Sequence, residues 1–367
     1  MYLSKPGKPW LPSVAMVVTL LAAVVCPLAR AIEPEKQQEV RAAIQAEMKR
    51  LGVPGLSAAI AIDRRTAWSE GFGMADLENS VPARANTVYR LASISKPITA
   101  VAVMQLAERG KLKLDDSIQI YVPAFPVKPW PVTVRGLLGH LSGVRHYTSL
   151  AEAQSTTHYT DVLGAIGVFA GDPLVCEPGT RYSYTTYGYT LLGGAVESAS
   201  GMKFVEYLRE NVFGPAGMEG IRDDNVYAIV PHRARGYRHT SSGEIENCAL
   251  ADTSNKIPGG GMISTAEDLV RFASAATGGT LLHRKSVAEM FTEQKTAEGK
   301  HISYGLGWNL FDIDGRRWAG HSGGQPGTST MLLVEPAQGV AVALMANLEG
   351  ADLYALAARI GAMVTPP

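Results

Sequence analysis

Apolar and polar positions follow two periods along this chain, and each change of period marks a change of element. From Glu35 to Leu51 the residues Val40, Ala43, Ile44, Met48 and Leu51 fall on one helical face with charges elsewhere, which predicts an amphipathic helix lying on a sheet. Two short segments follow, GLSAAIAID and TAWSEGFGM, on either side of Arg64-Arg65. Their short length and flanking turn residues predict two strands joined by a tight turn. Near the other terminus TSTMLLVEP and GVAVALMAN predict a second hairpin across Ala337-Gln338, and residues 351–364 a closing helix. Both chain ends therefore build one α/β lobe.

Between them the period becomes helical. Ile98 to Arg109, Val134 to His140, Tyr187 to Ser200, Phe204 to Phe213 and Thr265 to Ala276 read as helices punctuated by Gly and Pro turns. The predicted fold class is thus α/β (α+β): an antiparallel sheet lobe flanked by terminal helices, with a mostly helical lobe inserted into it. The cleft between the lobes is where chemistry is expected.

The first residues stand outside this scheme. Lys5 and Lys8 precede an apolar run from Val14 to about Leu28 and then Ala29-Arg30-Ala31, the order of a secretory signal with its cleavage site. The expected organisation is a signal peptide over 1–31 and a catalytic domain over 32–367, with the mature protein exported to the periplasm and not inserted in the membrane. An N-terminal membrane anchor facing the periplasm is the alternative. Lys+Arg and Asp+Glu both number 34, so no global field favours nucleic acid, and small neutral or zwitterionic substrates fit better. Cys176 and Cys248 are too few for a disulfide scaffold and are spaced unlike a zinc site. Export leaves one disulfide between them open.

Three stretches carry candidate chemistry. In Ser93-Ile94-Ser95-Lys96, a serine precedes a lysine by one helical turn at the mouth of an apolar helix. The amine would reach the hydroxyl, and burial would lower its pKa to that of a usable base. A rival nucleophile is Ser322 in Gly320-His321-Ser322-Gly323-Gly324, which matches G-x-S-x-G. That motif needs a helix after the turn and a histidine further along, whereas a β-branched strand follows here and His321 is the last histidine. The same glycines suit a strand edge against which a substrate lies, with an N–H aimed at its carbonyl oxygen. The third stretch, Pro178 to Gly201, crowds tyrosines before a helix; most should be packing residues, and one near a lysine would relay protons.

Taken together, and in this order, the three stretches resemble the serine β-lactamase and penicillin-binding protein superfamily, in its class C-like branch, over nearly all of residues 32–367. Ser93-x-x-Lys96 matches the first motif, Tyr184-Thr185-Thr186 stands where relatives carry Tyr-x-Asn, and His321-Ser322-Gly323 where they carry Lys-Thr-Gly or His-x-Gly. The threonine in the second motif and the run SISKPITAVAVMQL are similar to the LACTB-type subgroup. The resemblance implies an exported serine hydrolase without metal or organic cofactor, acting on a peptide, β-lactam or ester carbonyl. A penicillin-binding sensor or scaffold that is acylated without efficient turnover is the alternative. It implies Ser93 as nucleophile, Lys96 and Tyr184 as the proton-handling groups, and the backbone N–H groups of Ser93 and Gly324 as the oxyanion hole. Thr186, His321, Ser322 and Gly323 become substrate-binding positions, with His321 facing a substrate carboxylate and a weaker amide contact at Thr186. His140, in LLGHLSGV, is expected to pack rather than to ligate.

Overall fold

The computed structural model describes residues 1–5, 7 and 31–365; the apolar run Val14–Leu28 read as a signal peptide lies outside them. A seven-stranded antiparallel sheet forms the first lobe. Its strands are β1 (Gly55–Ile62), β2 (Arg65–Asp76), β3 (Val81–Pro82), β4 (Asn309–Ile313), β5 (Arg316–Gln325), β6 (Thr328–Glu335) and β7 (Val340–Ala346), in the spatial order β3-β2-β1-β7-β6-β5-β4. β1 and β7, from opposite ends of the sequence, pair at the centre, with Leu56 opposite Ala346 and Ile60 opposite Val342.

β1, β6 and β7 are buried at every position, which is why they read as continuous apolar runs rather than alternating ones. Alternate residues serve two cores. Leu56, Ala58, Ile60, Met331, Leu333, Val342 and Leu344 meet the terminal helices α1 (Pro34–Leu51) and α5 (Tyr354–Val364). Ala59, Ala61, Leu332, Val334, Ala341 and Ala343 face the inserted lobe. The alanines on that side let α4 (Ala266–Thr277) lie close to β1 and β7.

The inserted lobe is built around α2 (Ser95–Glu108) and α3 (Tyr187–Ser200), which pack on each other. α2 is buried from Ser95 to Leu106, so it is a core helix rather than an amphipathic one. The expected elements are present with shifted ends. The first hairpin turns at Asp63-Arg64, both at positive φ, rather than at Arg64-Arg65. The helix from Val134 stops at Leu138 before Gly139 and a left-handed His140. Phe204–Leu208 runs into a π turn over Arg209–Phe213. Cys176 and Cys248 are both free thiols, contrary to the disulfide considered from sequence. They pack in different places, Cys176 beside Gly143 and Cys248 between Gly236 and Gly327.

Candidate active site

Ser93 lies in the 3-10 turn Ala92–Ile94 that leads into α2, at the mouth of the helix as expected. Ala92 takes a left-handed conformation, φ 48°, which a residue with a Cβ adopts only when its surroundings hold it there. The surroundings are β-structure on both sides: the Leu91 N–H donates to the Met262 carbonyl, and the Thr330 hydroxyl donates to the Leu91 carbonyl. Ser95, the other serine of the motif, is fully buried with an unpartnered hydroxyl and cannot meet a substrate.

Two polar atoms converge on Ser93 Oγ. The Tyr184 hydroxyl donates to Ser93 Oγ at 2.7 Å, and Lys96 Nζ lies 3.0 Å from the same oxygen. Lys96 is fully buried, and its Nζ also contacts the Gly259 carbonyl at 2.7 Å and Thr186 Oγ1 at 3.1 Å. Burial, then the charge of Lys256, holds the Lys96 amine well below the ordinary lysine range. A neutral amine has two N–H bonds and one lone pair. The Gly259 carbonyl can only accept and takes one N–H, Thr186 takes the other, and the lone pair is left toward the Ser93 hydroxyl. Thr186 therefore orients the lysine while also lining the cleft. Burial pushes the Tyr184 phenol up, outweighing its hydrogen bond to Ser93, so the tyrosine is a neutral donor.

The third motif departs further from expectation. His321 is 3% exposed. Its Nδ1 lies 2.6 Å from the Ser322 carbonyl, which only accepts, so Nδ1 carries the hydrogen and Nε2 accepts from the Tyr304 hydroxyl at 3.1 Å. Burial, then the Lys96 charge, lowers its pKa to about 3. His321 is thus a neutral, satisfied side chain behind Tyr184, and it offers a substrate carboxylate neither charge nor a free donor. Ser322 is paired with Met331 and so lies on the sheet face of the terminal helices, away from Ser93; neither nucleophile nor side-chain substrate contact falls to it. Gly323 is buried, and a Cβ there would stand 2.3 Å from the Leu91 carbonyl oxygen and from Thr330 Oγ1. Its role is to let β5 close on the Ser93 turn rather than to touch substrate. Gly324, by contrast, borders open space on the cleft. β4 pairs with β5 only as far as Gly320, so among the described residues no strand covers the outer edge of β5 from His321 to Gln325.

The cleft holds about 500 Å³ and is lined by Ser93, Tyr184, Thr186 and Gly324 together with His146, Tyr147, Lys256, Gln325 and Glu349, a size suited to a small ligand. A second hollow of about 410 Å³ opens beyond Pro326 and contains none of the Ser93 group. His140 packs among Tyr182, Tyr184, Tyr189 and Tyr304, as expected. His146 and Lys256 went unnoticed in the sequence, where no motif surrounds them. His146 Nδ1 accepts from the Thr186 N–H at 3.2 Å, and burial, then Lys96, lowers its pKa to about 4. Lys256 is one residue before the Ile257–Gly260 turn that supplies the Gly259 carbonyl. No cluster of three metal-ligating side chains occurs among the described residues.

Known proteins share this arrangement of lobes. The chain is 28% identical to the human mitochondrial serine beta-lactamase-like protein LACTB, over 84% of this chain and 76% of the relative. It is 31% identical to penicillin-binding protein 4* of Bacillus subtilis, over 72% of this chain and 62% of that protein. The octameric penicillin-binding protein homologue from Pyrococcus abyssi superimposes with a TM-score of 0.77 at 25% identity, covering 89% of this chain and 77% of that one. With residues 40–362 matching the Beta-lactamase family, the chain belongs to that family of serine hydrolases and shares its fold.

Proposed function

We propose that this protein is an exported hydrolase that forms an acyl-enzyme at Ser93 on a peptide, lactam or ester carbonyl. The observation that carries this reading is the simultaneous contact of Ser93 Oγ with a buried, charge-depleted Lys96 amine and with the Tyr184 hydroxyl. Oγ attacks the carbonyl carbon while its proton passes to Lys96 Nζ. The N–H groups of Ser93 and Gly324 take the developing oxyanion. Tyr184 gives its proton to the leaving nitrogen or oxygen and recovers one from the Lys96 ammonium, so both return neutral. Water then loses a proton to Lys96, attacks the ester, and Ser93 leaves with that proton. A phenol raised by burial is a poor base, so the base is assigned to Lys96 and the relay to Tyr184.

The test is intact mass during incubation with a penicillin and with a fluorophosphonate, followed by peptide mapping. A label on Ser93 that is absent in Ser93→Ala is expected, with a kcat/KM loss of at least about 10³-fold for the variant. A label on Ser322, or labelling undiminished in Ser93→Ala, overturns the reading. The time course separates a hydrolase, whose adduct decays, from a penicillin-binding sensor, whose adduct persists. Export follows from the leader read in the sequence and is tested by N-terminal sequencing of secreted protein, with cleavage after Ala31 expected.

A further inference from the structure

His321 leaves the cleft without the cation that the third motif was expected to supply, yet the cleft has one. Lys256 is 3% exposed and lines the same cleft as Ser93. A methyl group built on Gly260 would lie 3.8 Å both from Lys256 Cδ and from the carbonyl carbon of Ala92. The lysine stem and the peptide that carries Ser93 therefore border the same space beside Gly260. Its Nζ donates to the Ala153 carbonyl at 2.6 Å and lies 5.0 Å from the centre of the Tyr147 ring.

What Lys256 lacks is a counterion. Among the described residues no carboxylate stands within ion-pair distance of it. Asp224, whose charge reaches it through space, is already held by Arg90, Arg233 and the Thr253 hydroxyl. The other charged or titratable groups facing it are Arg90, which repels it, Lys96, whose charged form it disfavours, and His146. Glu349 lines the cleft elsewhere and accepts from the Gly327 N–H at 3.2 Å. A buried ammonium with one carbonyl and one ring as partners retains N–H bonds for an acceptor and favours an anionic one. A lysine kept only to tie down residue 153 has no need of a cleft wall beside a nucleophile.

We propose that Lys256 binds a carboxylate of the substrate, so that the preferred ester or amide is one bearing an anionic group near the scissile carbonyl. The inference rests on the acyl-transfer reading of this cleft.

Two matched pairs test it: mono-p-nitrophenyl glutarate against its methyl ester, with the carboxylate on the acyl side, and 3-acetoxybenzoate against its methyl ester, with it on the leaving side. Wild-type protein should favour the anionic member of at least one pair by about tenfold or more in kcat/KM. Lys256→Gln, which keeps a donor for the Ala153 carbonyl but no charge, should lose that ratio, and Lys256→Arg should retain most of it. An equal ratio in wild type and Lys256→Gln, or no anionic preference in either pair, overturns the proposal. Binding is read separately from turnover by titrating Ser93→Ala with monophenyl glutarate. The double variant Ser93→Ala/Lys256→Gln should bind it at least about tenfold more weakly, and equal affinity overturns the carboxylate site even if no acyl-enzyme ever forms. A Ser93 that is never labelled while the affinity difference stands would instead sink the acyl-transfer reading alone.

Discussion

At the scale of single residues, the site is governed by one side chain whose burial opposes stability. Desolvation, then Lys256, disfavours the charged form of Lys96 and holds its pKa well below the ordinary lysine range. Unfolded, it regains the ordinary lysine value near 10.5 and binds a proton at neutral pH. The unfolded state thus holds more protons, and stability is lost as pH falls below about 10.5 toward the depressed folded value. Lys96→Met fills the same space without that penalty. It should abolish turnover and raise the stability by about 1–2 kcal/mol at pH 7, with the gain shrinking as pH approaches 10. Urea unfolding of both proteins at pH 7 and pH 9.5 measures this; a variant less stable than wild type at pH 7 would show that the Gly259 and Thr186 contacts outweigh burial. The lysine and its serine were legible because a three-residue spacing on a helix is local. Tyr184 was legible only through resemblance, since its separation of 91 residues from Ser93 is bridged by the fold alone.

At the scale of elements, the junction between β5 and the turn before α2 sets the position of Ser93. The left-handed Ala92 and the bare backbone of Gly323 are two sides of one contact: a Cβ at 323 would meet the Leu91 carbonyl oxygen at 2.3 Å and Ala92 Cβ at 3.1 Å. Gly323→Ala must push strand and turn apart. It is expected to cost about 1–3 kcal/mol of stability and to lower kcat/KM by about 100-fold through misplacement of Ser93. Gly324→Ala, whose new methyl enters open space, should leave the urea midpoint where it is. Equal midpoints for the two variants would refute the close approach. The glycine cluster was visible in the sequence, but its division of labour was not, because a strand's two faces are assigned only by its register. Pairing with Leu332, Met331 and Thr330 sends His321 and Gly323 toward the helical lobe and Ser322 away from it. The same register turns an expected substrate-facing histidine into a buried one.

At the scale of the whole molecule, the two cores on opposite sheet faces were readable from mostly apolar runs, because burial on both faces leaves few polar positions in β1, β6 and β7. The polar layer between the lobes was not. Lys256, His146 and the tyrosines around His140 are brought together from separate segments, and no periodicity links them. That layer carries a cost in acid. His140 is held well below the ordinary histidine range, His146 at about 4 and His321 at about 3, each chiefly by burial. Each is neutral when folded but charges near pH 6.5 when unfolded, so the stability present above pH 6.5 is lost as pH falls toward those folded values. One such histidine contributes a slope of at most about 1.4 kcal/mol per pH unit. Between pH 6.5 and 5 ordinary carboxylates stay ionised, so this window isolates the buried bases. Stability from urea unfolding should fall by about 2–5 kcal/mol across it. His321→Gln should begin less stable, having lost its bonds to Tyr304 and Ser322, yet should decline less steeply by about one proton's worth of slope. A wild-type midpoint that is unchanged from pH 6.5 to pH 5, or a variant with undiminished slope, would mean that the histidines behind Tyr184 are charged in the folded protein.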